Sequence, residues 1–186
     1  YKTLKELVTA AKAKSNMRAS TNGMKASNHT AAQLFAQSAG FKYKAIPYGG
    51  TADQLLALRQ GEVQFTCAKV ADVAKLVSGD KPELRILGAF DTKRLAEYPD
   101  VPTLGELGYY PNWYGSARAL VAPAGTPDDV IAFYVDAFKK TMNDPQTIEQ
   151  HKKAGLSMQF MDNKELGKLI KQQEVFCRDE VSQLYK

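Results

Sequence analysis

The chain has 186 residues, of which 44% are hydrophobic, 24% charged and 10% aromatic. These proportions are those of an ordinary globular protein, and they exclude a disordered chain, a collagen-like repeat and a coiled coil. No apolar run approaches the roughly 18–20 residues that a membrane-spanning helix needs, and a chain of about this length can bury a core of its own.

The net charge of +5 comes from 25 basic and 20 acidic residues that are spread along the chain. No block of five or six like charges occurs, and aromatic residues do not alternate with basic ones. A nucleic-acid-binding face usually shows such clustering. The charge pattern therefore favours solvated helix surfaces and predicts no nucleic-acid partner.

Strand and helix signals alternate four times in the first ninety residues. Strands are predicted over 17–20, 42–47, 63–67 and 84–89, with helices starting at the capping boxes of Thr3 and Thr51, near Ser27, and at Val70. The second of these helices places Ala31, Leu34, Phe35 and Ser38 on its inner face and ends at Gly40. This alternation predicts an α/β fold with an open, mainly parallel sheet flanked by helices.

The remainder of the chain reads differently. A stiff loop and an aromatic-rich stretch occupy 98–114, and strands are predicted over 117–122 and 156–160. Helices are predicted to start with Thr126 as N-cap, again at Pro145, and from about Asn163 to the end, each with a wide apolar stripe. The sequence thus divides into a compact sheet unit, 1–115, and a mostly helical segment, 116–186.

A strand followed by a glycine-containing, hydroxyl-rich turn and a helix predicts the first candidate site, Thr21–Ser27. Free N–H groups and the helix dipole at such a turn favour a carboxylate or another anion. Gly23 lets the backbone approach a ligand closely, Thr21, Asn22 and Ser27 offer side-chain hydrogen bonds, and Lys25 adds a positive charge. An ordinary capped helix after an Asx turn explains this pattern equally well.

Two further turns follow predicted strands, at Tyr48, Gly49 and Gly50 and at Thr66, Cys67 and Ala68. The carboxyl ends of parallel strands meet at one edge of a sheet, where ligands of open α/β folds bind. We therefore expect all three turns to line one anion-binding edge. His29, in the first turn of its helix, is expected to fix the first turn by hydrogen bonding.

Redox, metal and catalytic signals are sparse. The two cysteines, Cys67 and Cys177, and the two histidines, His29 and His151, have no short ligand spacing, and no P-loop or GxGxxG occurs. No metal site, cofactor or nucleophile–base pair is predicted, so the chain is interpreted as a non-enzyme. Two unpaired thiols are favoured, with a Cys67–Cys177 disulfide as the alternative in an oxidising compartment.

Several motifs in the same order resemble one known family, the tripartite tricarboxylate transporter solute-binding proteins, also called the Bug or TctC-like family. The stretches that carry the resemblance are Ile46-Pro47-Tyr48-Gly49-Gly50, Pro99-Asp100-Val101-Pro102-Thr103, Trp113-Tyr114-Gly115 and Val121-Ala122-Pro123-Ala124-Gly125-Thr126-Pro127. Thr3–Leu7 is also similar to the start of that family's second lobe.

The resemblance implies a type II periplasmic-binding-protein-like fold, present here as one lobe plus a C-terminal return segment. It implies a receptor outside the cytoplasm, made with a signal peptide, that binds a small carboxylate and delivers it to membrane permease subunits. It also implies that the chain lacks most of the N-terminal lobe, with 1–115 as the second, ligand-binding lobe. Residues 116–186 would then complete the first lobe, or be exposed, repacked or paired in a homodimer.

The sequence departs from the family pattern at two places in the candidate site. Lys25 and Ala26 stand where the family has a glycine and a serine, and Thr66-Cys67-Ala68 replaces a typical Phe-Asp-Asn. Because an acidic side chain is lost, recognition of a ligand amino group is not expected there. A metabolite-sensing effector domain of a regulatory protein is the alternative function, and an enzyme on the same fold is a second, less favoured one.

Overall fold

The computed structural model describes residues 1–14, 16–156 and 158–185. The chain divides into two compact units, Tyr1–Ser116 and Ala117–Lys186. The first unit is mixed α/β, whereas the described part of the second contains helices and no strand.

In the first unit, helices and strands alternate along the chain. The elements are α1 Leu4–Ala13, β1 Arg18–Thr21, α2 Ser27–Ala39, β2 Lys44–Pro47, α3 Thr51–Arg59, β3 Phe65–Thr66 and α4 Val70–Val77. The three strands pair in parallel in the order β2-β1-β3, so β1 is central. The predicted α/β class with a parallel sheet flanked by helices is confirmed.

The order of the strands creates a switch point in the sheet. The chain passes from β1 to β2 on one side and then returns past β1 to β3 on the other. In the register, Thr21 lies opposite Pro47, and Ser20 lies opposite Thr66. The carboxyl ends of the strands therefore meet at one edge, and the crevice between β1 and β3 is where open α/β sheets usually bind ligands.

Two apolar helix faces and an aromatic cluster form the core of the first unit. Helix α1 buries Leu4, Leu7, Val8 and Ala11, the helical spacing seen in the sequence. Phe35, Phe41, Phe65 and Tyr109 meet edge-to-face with ring centroids 5.2–6.1 Å apart, which suits the ring quadrupoles. Ser38, predicted on the inner face of α2, is exposed, and its hydroxyl donates to the Leu34 carbonyl at 2.8 Å.

The helix ends follow the sequence signals, with shifts of one residue. Thr3 Oγ1 accepts from the Glu6 N–H at 3.2 Å, but the Glu6 carboxylate accepts from Lys2 rather than from Thr3. The predicted N-cap at Thr51 is wrong, because α3 begins at Thr51 and Gly50 precedes it. Gly40 ends α2 with φ +70°, a left-handed conformation that a side chain would strain.

The predicted strand over 84–89 is wrong. Only Ala89 pairs, in an isolated parallel bridge to Thr103, with the Ala89 N–H donating to the Pro102 carbonyl at 3.0 Å. An apolar run becomes a strand only where a neighbouring edge satisfies its N–H and C=O groups. Strand β3 is also shorter than the predicted 63–67, and β2 starts at Lys44 rather than at 42.

A side-chain network stabilises the loop that pairs with Ala89. The Glu106 carboxylate accepts from the Thr103 N–H at 2.7 Å and from Arg94 Nε at 3.0 Å. The backbone hydrogen bond from Thr103, followed by Arg94, lowers the pKa of Glu106. Arg94 also donates to the Pro99 carbonyl at 3.0 Å, so both ends of the stiff loop are tied to one ion pair.

The second unit contains α5 Asp128–Asn143, α6 Pro145–Lys153, α7 Asn163–Asp179 and a terminal 3-10 helix, Val181–Tyr185. The predicted strand over 117–122 is wrong, because these residues are exposed and pair with no neighbouring strand. Of the strand predicted over 156–160, Ser157 lies outside the described residues, and the others form no strand. Pro127, not Thr126, precedes α5, and the Thr126 hydroxyl donates to the Pro123 carbonyl at 2.8 Å.

None of the residues of α5, α6 and α7 is buried. Several of their large apolar side chains are exposed: Val130, Phe133, Tyr134, Phe138, Ile148, Ile170 and Val175. Others, including Ile131, Leu166 and Leu169, are half-buried. The apolar stripes predicted for this segment are therefore partly open to solvent in the 186-residue chain.

No helix among the residues that the structure describes combines the length and the apolar character needed to cross a membrane.

Core packing of the first unit is tested by two matched leucine truncations. Leu7 is 1% exposed and Leu56 is 44% exposed, and both lie within helices. We expect Leu7→Ala to lower the free energy of unfolding by about 2–5 kcal/mol, because it leaves a cavity. Leu56→Ala is expected to change it by no more than about 0.5 kcal/mol. Denaturant unfolding followed by circular dichroism measures both, and equal effects would contradict the packing described here.

Candidate functional site

The turn between β1 and α2 has a constrained backbone. Gly23 has φ +136° and Lys25 has φ +63°, both in the left-handed region. A residue with a side chain rarely adopts this conformation, which explains why a glycine is the expected residue at position 25. The Lys25 side chain is exposed.

His29 holds this turn from within the first turn of α2. The residue is 2% exposed, and Nδ1 accepts from the Lys25 N–H at 2.8 Å. Burial lowers the pKa of His29 below the ordinary value of 6.5, because the charged form loses its hydration. The imidazole is therefore neutral at pH 7 with Nδ1 unprotonated, and the predicted role of His29 in fixing the turn is confirmed.

The three side chains expected to donate to a ligand have different surroundings. The Thr21 hydroxyl is buried and donates to the Gly23 carbonyl at 2.9 Å. Because a hydroxyl carries one proton, this bond does not match the predicted donation to a ligand. Asn22 Oδ1 is buried and has no hydrogen-bond partner within the described residues. Ser27, half-buried, is the first residue of α2.

The helices that follow the three strands all start without a side-chain cap. Their N-cap residues are Ala26, Gly50 and Lys69, none of which has a side-chain acceptor. Elsewhere in the chain, α1, α6 and α7 are capped by Thr3, Asp144 and Asp162, whereas α5 also starts without a side-chain cap. The first N–H groups of an uncapped helix have no acceptor within the helix, and they carry the positive end of its dipole. The edge of the sheet thus presents three sets of main-chain donors.

The second turn is tied to β1 by its backbone. The Tyr48 N–H donates to the Thr21 carbonyl at 2.8 Å, and its hydroxyl donates to Glu62 Oε2 at 3.0 Å. Desolvation, followed by the hydrogen bond and the charge of Glu62, raises the pKa of Tyr48. The hydroxyl is thus engaged within the protein. At Gly50, with extended backbone, an added Cβ would meet nothing within 4 Å, so space remains open beside it.

The third turn, Thr66–Ala68, contributes no charge to the site. The Cys67 thiol is half-buried, and burial raises its pKa to about 12, so it is protonated at neutral pH. The Thr66 hydroxyl donates to the Ser20 carbonyl at 2.9 Å. Both cysteines are free thiols, and the described residues contain no group of three His, Cys, Asp or Glu that could hold a metal ion.

A buried amide that the sequence analysis missed connects the first and third turns. Gln54 of α3 donates from Nε2 to Thr66 Oγ1 and to the Cys67 carbonyl, the latter at 2.8 Å. Its Oε1 accepts from Asn28 Nδ2 of α2 at 3.0 Å. Sequence reasoning assigned Gln54 to a capping box, and no sequence signal indicated its burial, because its partner Asn28 lies 26 residues away.

The parallel sheet with its flanking helices has counterparts in solved structures of other proteins. A TctC solute-binding protein from Polaromonas, crystallised without ligand, superposes on this chain with TM-score 0.84 and 23% identity. The match covers 98% of this chain and 62% of the Polaromonas chain. A Rhodopseudomonas palustris protein solved with adipate matches 99% of this chain and 61% of its own, with TM-score 0.81 and 19% identity. At these identities the likeness shows the fold.

Residues 1–180 match the model of the tripartite tricarboxylate transporter family receptor, and the chain belongs to that family. A UPF0065 protein encoded in the gbd 5′ region of Cupriavidus necator is 31% identical over 165 residues, which are 88% of this chain and 49% of the relative. The chain spans about half the length of the curated relatives it matches, or less. The family resemblance of the sequence motifs is confirmed.

The buried neutral state of His29 predicts a pH-dependent stability. Its pKa is lowered in the folded protein, so below pH 6.5 the unfolded chain binds the proton more readily. The free energy of unfolding should therefore fall as the pH drops from about 7.5 to about 5. His29→Asn retains a hydrogen-bond acceptor but does not titrate, so its profile should be flatter. Parallel slopes for wild type and variant in urea unfolding would contradict the assignment.

Proposed function

We propose that this chain provides the ligand-binding lobe of an extracytoplasmic, periplasmic receptor for a small carboxylate. The receptor delivers the carboxylate to the membrane permease subunits of a tripartite tricarboxylate-type transporter. The observation that carries the proposal is the set of three uncapped helix starts at one edge of the sheet. Membership of the receptor family supports the transport role.

A carboxylate suits these donors because it accepts hydrogen bonds only and has two oxygens that spread its charge. Main-chain N–H groups at a helix start bind such anions with help from the helix dipole. In the proposal, the turn Asn22–Ser27 holds one carboxylate and the start of α4 receives a second anionic group. The remaining lining residues are Tyr48, Gly49, Gly50, Thr66, Cys67 and Ala68, which contribute mainly backbone.

Catalysis is not part of the proposed function. A nucleophile at this edge would be Cys67, and its raised pKa of about 12 leaves it as a thiol. A base would be His29, and its Nδ1 is engaged with the Lys25 N–H within the turn. Neither group is therefore activated for attack or proton transfer on a bound ligand.

Proline scanning at position 27 tests the main-chain donor. Ser27 is the first residue of α2 and follows Ala26, whose φ of −69° and ψ of 167° allow a proline next. Ser27→Pro removes the N–H and the hydroxyl, whereas Ser27→Ala removes the hydroxyl alone. We expect Ser27→Pro to weaken carboxylate binding about tenfold more than Ser27→Ala, because it removes a charge-assisted hydrogen bond.

The measurement is calorimetric titration of the full-length protein with adipate, malate and citrate. Equal carboxylate affinities for the two Ser27 variants would show that the Ser27 N–H does not bind the ligand. No saturable heat with any of the three acids, together with binding of an amino acid or a sugar, would defeat the carboxylate proposal itself.

We also propose that 116–186 completes the first lobe in the full-length protein. Helices α5, α6 and α7 have no buried residue, and Phe133 is 67% exposed. A helix with such an apolar stripe normally packs it against a partner. The family relatives are about twice as long as this chain, which leaves room for that partner in the complete protein.

Amide hydrogen exchange tests this packing. We expect the amides of α5 to exchange at least about tenfold more slowly in the full-length protein than in the 186-residue chain. Helix α1, which is packed in the first unit, serves as the internal control. Equal exchange of α5 in both forms would contradict the proposal. A dimer of the 186-residue chain in sedimentation velocity, with α5 protected in it, would favour the alternative of a homodimer.

A further inference from the structure

We propose that Gln54 is a positioning residue for the ligand site, fixing the β1–α2 turn and the β3–α4 turn relative to each other. Gln54 itself does not touch the ligand. The inference rests on the proposed function for its effect on affinity, whereas the cross-link between the two turns is independent of any ligand.

The Gln54 side chain makes its hydrogen bonds to residues at these two turns. Gln54 is 0% exposed, and both of its Nε2 protons are donated, one to Thr66 Oγ1 and one to the Cys67 carbonyl. Its Oε1 accepts from Asn28 Nδ2 at 3.0 Å. Its main-chain carbonyl also accepts from the Ser20 hydroxyl at 2.9 Å, so α3 is tied to the central strand as well.

The partners of Gln54 lie on both sides of the switch point. Asn28 is in the first turn of α2, which follows β1, whereas Thr66 ends β3 and Cys67 follows it. Gln54 belongs to α3, which connects β2 to β3 and packs against β1 and β3. It therefore bridges two segments that lie next to the crevice and that are proposed to hold opposite ends of a ligand.

The chemistry of burial makes this bridge hard to loosen. A buried amide without hydrogen-bond partners costs far more free energy than an exposed one. If the Gln54 amide were displaced, the Asn28 amide and the Cys67 carbonyl would also lose a hydrogen-bond partner. The Thr66 hydroxyl accepts a hydrogen bond from Gln54 Nε2 and donates one to the Ser20 carbonyl at 2.9 Å. Each of these groups is therefore held in one orientation, which keeps the uncapped starts of α2 and α4 at a set separation.

Gln54→Met tests the bridge without a change of charge, because methionine has a similar length and no amide. We expect carboxylate affinity to fall about tenfold relative to wild type in the full-length protein, measured with adipate, malate and citrate. Gln60→Glu and Gln60→Met are matched controls, since Gln60 is an exposed residue at the end of the same helix. Both controls should bind within about twofold of wild type.

Gln54→Glu adds a second measurement, the pH dependence of carboxylate affinity, which would not change if Gln54 only stabilised the fold. At about pH 8 the introduced carboxylate would face the Cys67 carbonyl, where two acceptors repel each other. At about pH 5.5 the buried acid regains a proton and can donate one of the two lost bonds. The affinity of Gln54→Glu relative to wild type should therefore recover at least about threefold between these pH values, while Gln60→Glu stays level.

Backbone ¹⁵N relaxation decides the cross-link without a ligand. In Gln54→Met we expect lower order parameters at Asn22–Ser27 and at Cys67–Lys69, with α1 unchanged. Order parameters in both turns equal to those of wild type would overturn the inference.

A Gln54→Met affinity equal to that of wild type would also overturn it. If Gln54→Met does not fold, an affinity of Gln54→Glu relative to wild type that stays the same at both pH values would overturn it. If wild type binds no carboxylate, the proposed function fails and the relaxation result alone decides the bridge.

Discussion

A buried amide must find its hydrogen-bond partners inside the protein, because no water reaches it. The Gln54 amide meets this requirement with groups from two segments: Asn28 on α2, and Thr66 and Cys67 at the β3–α4 turn. Its main-chain carbonyl separately accepts from the Ser20 hydroxyl of β1. Satisfying the amide therefore requires these segments to be adjacent. The hydrophobic core brings the sheet and helices together, but this polar network sets how the ends of the strands are arranged.

The polar groups at this edge divide into two kinds. The hydroxyls of Thr21 and Thr66 and the Gln54 amide are engaged internally and shape the turns. The main-chain N–H groups at the starts of α2, α3 and α4 have no side-chain cap. Because no N-cap side chain accepts from them, these donors are the groups that the proposed carboxylate would engage.

The second unit differs from the first in how much apolar surface it leaves exposed. Its helices have apolar side chains that the described part of the chain leaves exposed, Phe133 and Phe138 among them. Under the proposal that 116–186 completes the first lobe of the full-length protein, this surface is one side of a larger core. The first unit, by contrast, buries an aromatic cluster and one face of α1 within itself.

The sequence by itself determined the α/β class, most helices, the end of α2 at Gly40 and the positions of the three turns, because these depend on local propensity and periodicity. It also carried the family motifs. It did not reveal Gln54, because Asn28 and Gln54 are 26 residues apart and only the sheet order brings them together. The strands predicted over 84–89 and 117–122 failed for the same reason, since a strand exists only where another segment completes its ladder. Tertiary structure therefore decided which hydroxyls face inward and which donors remain at the edge.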